Sequence, residues 1–84
     1  MKIYIFEAKN ESGMYGYSNL EDGNNLPVTL NNKTIIWSYK KILDVQENDT
    51  RPYIGLDIVE CINSIKKQGW YINKISIDTT IQPS

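Results

Sequence analysis

The residue types that most often carry out catalysis are scarce in this sequence. It contains no histidine, which removes the usual Ser-His and Cys-His pairs and the commonest zinc ligand. Carboxylates remain for general acid–base chemistry, but their spacing predicts no pair in a shared cleft. These carboxylates are Glu7, Asp44, Glu47, Asp49, Asp57, Glu60 and Asp78. The glycines match neither a phosphate-binding loop nor a dinucleotide fingerprint. We therefore predict a protein that is not an enzyme and that uses no metal and no cofactor.

Aromatic side chains stand out instead, and most of them fall on predicted strands. Tyrosine and tryptophan are enriched at protein interfaces because they bring a large contact area at a small cost in conformational entropy. We interpret six residues as candidate binding residues, the last two in the longest loop of the chain: Tyr15, Tyr17, Trp37, Tyr39, Arg51 and Tyr53. The competing interpretation is that these rings only pack across neighbouring strands.

Residues 57–69 have the pattern of one short amphipathic helix. Asp57 and Glu60 fit a capping box, in which each side chain accepts a backbone N–H of the first turn. Gly69 is placed for the left-handed residue that ends a helix, and Trp70 is then expected to pack back onto the helix end. The apolar residues recur on a single face: Ile58, Cys61, Ile62 and Ile65. The helix is about 17 Å long and too short to be stable alone, so it must pack on the remaining chain.

The remaining chain is predicted to form strands at 2–9, 14–20, 34–44 and 70–77, with a short edge strand at 28–30. The first strand has apolar residues on both faces, which predicts a central position. Gly16 interrupts the second strand and is interpreted as a bulge rather than as a place of close approach. A bulge near Lys40 and Lys41 reconciles the two halves of the third strand.

This order of elements predicts an α+β fold. A mainly antiparallel sheet of about four strands, in the sequence order β-β-β-α-β, carries the helix on one face. Whether the last strand lies beside the first or the third stays open.

The relative sizes of helix and sheet predict an open aromatic surface. Four strands present about 20 by 20 Å per face, whereas the helix shields about half of one face. We therefore predict a small intracellular protein-binding module of bacterial or phage type. Its partner is another protein or a second copy, bound through the aromatic sheet face or an edge strand.

The alternative is a binder of single-stranded nucleic acid. In that hypothesis Tyr15, Tyr17, Trp37 and Tyr39 stack on bases while nearby lysines contact phosphates: Lys33, Lys40 and Lys41. The formal net charge of −1 supplies no attractive field for an anionic polymer. Nucleic acid is therefore disfavoured as a partner.

Length and composition predict one domain at 1–78 and a frayed tail at 79–84 in this chain of 84 residues. Glu7 interrupts the apolar N-terminus too early for a signal peptide or a membrane span, so no membrane association is expected. Cys61 is the only cysteine, which favours the reducing cytoplasm.

Overall fold

The computed structural model describes residues 1–49, 53 and 56–74, and it confirms the predicted α+β class. The elements are β1 (Lys2–Ala8), β2 (Met14–Ser18), β3 (Thr29–Leu30), β4 (Lys33–Thr34), β5 (Trp37–Asp44), α1 (Ile58–Gln68) and β6 (Trp70–Lys74). Four of the strands form an antiparallel sheet in the order β5-β1-β2-β6, and β3 pairs with β4 as a separate hairpin. The predicted tail at 79–84 and the end of the predicted last strand lie outside the described residues.

The first strand is central, as its two apolar faces predict. Ile3 and Ile5 are buried on one face of β1, and Phe6 and Ala8 are buried on the other. Burying an isoleucine side chain contributes about 1.5–3 kcal/mol, so a strand that is apolar on both faces gains most between two neighbours.

The predicted bulge is also present. The register between β1 and β5 shifts between Ile5 and Phe6, which leaves Lys40 as the extra residue.

The last strand lies beside the second, not beside the first or third. β6 pairs with β2 in a continuous register from Met14 opposite Lys74 to Ser18 opposite Trp70. The predicted third strand is divided. Residues 33–34 belong to the small hairpin, whose turn residues Asn31 and Asn32 both have positive φ, and β5 begins only at Trp37.

Both ends of α1 form as predicted, with two differences in detail. Asp57 caps the helix, and its side chain accepts the backbone N–H of Glu60 at 3.1 Å. The Glu60 carboxylate instead accepts the hydroxyl of Tyr71 at 2.6 Å. Gly69 adopts the left-handed conformation at φ 92°. Because β6 follows immediately, strand alternation directs Tyr71, and not Trp70, towards the helix.

One face of the sheet and the apolar face of α1 together make the main core. The residues with the least exposure there are Ile3, Ile5, Tyr17, Val45, Ile58, Cys61, Ile62 and Ile65. The helix lies nearest β6 and β2, so it is displaced towards that side of the sheet. Leu43 of β5 also packs against this core.

Segment 19–36 covers much of the opposite face, which the sequence did not predict. Leu26 is buried there and lies directly over Gly16, so that a Cβ at position 16 would come within 3.0 Å of it. The ring of Phe6 lies still closer to Gly23, where an added Cβ would come within 2.6 Å of it. The register of Gly16 with both neighbouring strands is regular, and the prediction of a bulge there is wrong. Gly16 is instead a site of close approach, because the absence of a side chain leaves room for Leu26 and Trp37.

A group of polar side chains joins segment 19–36 to the end of the helix. The Nδ2 of Asn25 donates to the Gly69 carbonyl at 2.9 Å and to Oδ1 of Asn19 at 3.0 Å. The hydroxyl of Ser18, which is fully buried, donates to Oδ1 of Asn25 at 2.6 Å. We call these hydrogen bonds the Asn25 bridge. They satisfy polar groups that would otherwise be costly to bury.

Candidate protein-interaction surface

The outer edge of β5 is the longest exposed edge in the described part of the sheet. β5 has eight residues and pairs with β1 on one side only. Its position follows from its composition, because Lys40, Lys41 and Asp44 tolerate solvent and would be costly inside the sheet.

The backbone groups that face outwards on this edge follow from the pairing with β1. Met1 and Val45 exchange both hydrogen bonds, each at 2.9 Å. Since antiparallel partners alternate between bonded and non-bonded pairs, Leu43 directs its N–H and C=O towards β1. By the same alternation Ile42 and Asp44 direct theirs outwards. This edge therefore offers backbone donors and acceptors to a further strand.

Apolar side chains lie beside these outward groups. Tyr39 and Ile42 are 53% and 43% exposed, and they lie on the face that segment 19–36 covers elsewhere. Ile42 is directly opposite Tyr4, which is half-buried, and the ring of Tyr39 meets the edge of Phe6 at a centroid distance of 5.7 Å. The Phe6 contact restricts the Tyr39 ring, which lowers the side-chain entropy that is lost on binding. We call Tyr4, Tyr39, Ile42 and the outer edge of β5 the β5 surface.

Charged groups lie on both faces of β5, with Lys40 on the helix face beside Glu7 and Asp44 on the face of Ile42. Lys40 forms an ion pair with Glu7 at 3.2 Å, and Asp44 lies 3.8 Å from the N-terminal amine. All of these groups keep substantial contact with solvent except the amine. Exposed ion pairs contribute little to stability, so Lys40 and Asp44 can exchange partners at small cost.

The structure divides the predicted binding residues between the two faces of the sheet. Tyr17 is only 5% exposed and tilts against Tyr71, and Tyr15 packs half-buried on the same core. Both lie on the helix face, whereas Trp37 and Tyr39 lie on the other. The four rings therefore do not form one stacking platform.

The other predicted binding residues have mainly structural contacts where they are described. The indole N–H of Trp37 donates to the Pro27 carbonyl at 2.8 Å and helps to hold segment 19–36 on the sheet. The hydroxyl of Tyr53 lies 3.2 Å from a carboxylate oxygen of Asp49. Arg51 lies outside the described residues. Of the five candidates that the structure describes, Tyr39 is the one whose side chain lies on the β5 surface.

The carboxylates that remained for acid–base chemistry have structural partners wherever they are described. Glu47 pairs with Lys66 at 3.4 Å, and the remaining partners are those given above for Glu7, Asp44, Asp49, Asp57 and Glu60. Asp78 lies outside the described residues. Within residues 1–49, 53 and 56–74, no three metal-ligating side chains come together.

Two side chains, one in the core and one packed against it, have strongly raised pKa values. Burial raises the pKa of the Cys61 thiol to about 12, with a smaller contribution from the charge of Asp57. Burial, followed by the hydrogen bond to Glu60, raises the pKa of the Tyr71 hydroxyl. Both shifts keep the protonated form at neutral pH, so the Cys61 thiol is a packing group rather than a nucleophile.

Ile42 and Tyr4 were missed as candidate residues. Their signal was present in the sequence, because a bulge at Lys40 restores the alternation beyond it and places Ile42 on the face of Tyr39. Ile42 is aliphatic and Tyr4 lies on the central strand, so neither has the pattern of an exposed aromatic residue on an edge strand.

Comparison with known proteins adds no functional assignment. No family model, no curated protein and no solved structure matches the chain. Among the described residues, no helix has the length and apolar character needed to cross a membrane.

Proposed function

We propose that this protein is a small, non-enzymatic protein-binding module of the cytoplasm that recognises its partner through the β5 surface. The observation that carries the proposal is the outer edge of β5, where outward backbone groups adjoin the exposed side chains of Tyr39 and Ile42. A partner strand added to such an edge gains backbone hydrogen bonds, and neighbouring side chains supply specificity.

Two further features support this proposal. Asp57 is engaged in the helix cap, Glu7 and Glu47 are engaged in ion pairs, and the cysteine is buried and protonated. The free thiol of Cys61 is also compatible with a reducing compartment. The nucleic-acid alternative has less support, because its aromatic platform is divided between two faces and Tyr17 is buried.

The test compares one substitution on the β5 surface with a matched substitution elsewhere. Ile42→Lys places a charge on the surface, and Val59→Lys places one on the outer side of α1 at nearly the same exposure, 45% against 43%. The native chain and both variants are immobilised, and the proteins that each captures from a lysate of the source organism are quantified.

A partner that is retained by the native chain and by Val59→Lys, and lost with Ile42→Lys, is the expected result. Equal capture by all three proteins would contradict the assignment of the β5 surface. A titration of the native chain with single-stranded oligonucleotides at low salt tests the alternative, since stacking on tryptophan would quench its fluorescence.

A further inference from the structure

We propose that Asp22 is a site of spontaneous covalent modification, namely isomerisation to isoaspartate through a cyclic imide formed with Gly23, and that the packing of segment 19–36 controls its rate. The reaction needs no enzyme and no co-reactant other than water. This inference goes beyond the proposed function and does not depend on it, because Asp22 and Gly23 lie outside the β5 surface.

The sequence distinguishes Asp22 from the other aspartates. Imide formation brings the backbone nitrogen of the following residue onto the side-chain carboxyl carbon, so a side chain on that residue hinders the reaction. Asp22 is followed by Gly23, which has no side chain. No asparagine precedes a glycine, so the faster reaction of an Asn-Gly pair does not compete. Every other aspartate precedes a β-branched residue, in the pairs Asp44-Val45, Asp49-Thr50, Asp57-Ile58 and Asp78-Thr79.

The reaction balances with water alone. The Gly23 nitrogen forms a bond to Cγ of Asp22, and one carboxyl oxygen leaves as water with the proton of that nitrogen and a proton from solvent. Water then adds to either carbonyl carbon of the ring. Addition at Cγ breaks the new bond and restores aspartate. Addition at the original main-chain carbonyl carbon breaks its bond to nitrogen, so the main chain then runs through Cβ and Cγ and is one carbon longer.

The native turn keeps the reacting groups from closing the ring. The Gly23 N–H donates to the Leu20 carbonyl at 3.0 Å, and Oδ1 of Asp22 accepts the Asn24 N–H at 3.0 Å. Attack on Cγ removes the proton from the Gly23 nitrogen and therefore breaks the bond to Leu20. Asp22 is exposed, but Gly23 is buried against the ring of Phe6. The turn must therefore open before the ring can close.

Leu26 connects this opening to the packing of segment 19–36. Its N–H donates to the Gly23 carbonyl at 2.9 Å, and its buried side chain lies over Gly16. The population of opened chains should therefore set the rate, as it does for proteolysis of a transiently opened protein. The longer main chain of the product displaces Gly23 from Phe6, where space is so limited that an added Cβ would lie within 2.6 Å of the ring. Isomerisation thus weakens the cover on this face of the sheet permanently.

The first experiment locates the modification and measures how it depends on the fold. The full chain is incubated at mildly acidic pH, either folded or unfolded in guanidinium chloride. Trypsin then releases residues 10–33 as one peptide, and its isoaspartate form is separated by chromatography and identified by electron-transfer fragmentation. We expect isoaspartate at Asp22 and at no other aspartate, formed about tenfold or more faster in the unfolded chain.

Two results of this experiment would contradict the proposal. Equal rates in the folded and unfolded chains would refute control by the fold. An unfolded chain without isoaspartate at Asp22 would refute the site. Asp22→Glu is the control for the chemistry, because it keeps the charge but would have to close a larger ring, and it should stay unmodified.

The second experiment tests the role of Leu26 with a faster reporter. Asp22→Asn forms the same imide with ammonia as the leaving group, and its product carries one additional negative charge that ion-exchange chromatography detects. Adding Leu26→Ala should accelerate the reaction about tenfold or more, because loss of a buried leucine favours opening. Val28→Ala is the matched control in the same segment, since Val28 is 63% exposed and Leu26 is 4% exposed. It should change the rate by less than about threefold, and equal rates in the two variants would refute control by packing.

A denaturant series on Asp22→Asn alone gives the same test if Leu26→Ala does not fold. The rate should rise with guanidinium concentration below the unfolding transition, because denaturant increases the population of opened chains. A rate that stays constant there would refute opening as the controlling step. The isolated isoaspartate form of the native chain should also unfold at a lower denaturant concentration, and an unchanged midpoint would refute the displacement of Gly23 from Phe6.

Discussion

Replacement of Gly16 by alanine tests the packing of segment 19–36 against the sheet. The added Cβ would lie 3.0 Å from Cδ2 of Leu26 and 3.0 Å from Cζ3 of Trp37, closer than ordinary contact. Overpacking of this kind costs about 1–3 kcal/mol. The lower chain entropy of unfolded alanine returns about 0.4–1 kcal/mol. We therefore expect Gly16→Ala to lower the free energy of unfolding by about 1–2 kcal/mol.

The assay is urea unfolding followed by tryptophan fluorescence, with Leu26→Val as the compensating change. Removing a methylene from Leu26 makes room for the new Cβ, so the two substitutions together should cost less than the sum of their separate effects by about 0.5–1 kcal/mol. A Gly16→Ala variant as stable as the native chain would refute the close approach of Leu26 and Trp37. Strictly additive effects would refute the direct contact with Leu26.

Three further predictions concern Gly23 of segment 19–36, the helix cap and the core thiol. Gly23→Ala should lower the free energy of unfolding by about 2 kcal/mol, because φ is +65° and the new Cβ would lie 2.6 Å from Cζ of Phe6; urea unfolding with an unchanged midpoint would contradict it. Asp57→Ala should cost about 1 kcal/mol through loss of the helix cap, and an undiminished helical signal on thermal unfolding would argue against the cap. Since burial raises the pKa of Cys61 from 9.0 to about 12, stability should hold below pH 9 and fall above it, by at most about 1.4 kcal/mol per pH unit for this group. Cys61→Ala should flatten this decline, and an identical slope would oppose the assignment.

The elements that could be predicted from the sequence are those with strong local signals. Asp57 and Gly69 mark the two ends of α1 because cap chemistry depends on residues within one turn. The central position of β1 follows from apolar residues on both of its faces. Lys40 disturbs the alternation of β5, and this disturbance locates the bulge.

The features that could not be predicted depend on contacts between residues distant in sequence. Gly16 gives the same local pattern whether it forms a bulge or makes room for a neighbour, and only the position of Leu26 decides between them. The pairing of β6 with β2 is likewise a long-range result. The candidate surface was predicted only in part for the same reason. Tyr17 and Tyr39 are alike as aromatic strand residues, and the location of the helix determines which of them is buried.

The Asn25 bridge has a consequence for how this small protein opens. It ties the segment that covers one face of the sheet to the carbonyl at the end of the helix that covers the other. Release of either layer breaks the same hydrogen bonds, so backbone amides in both layers should exchange with solvent through one shared opening event. Cleavage by a protease that cuts only transiently opened chains should then report a single all-or-none opening transition. A partner accordingly encounters the fully folded protein.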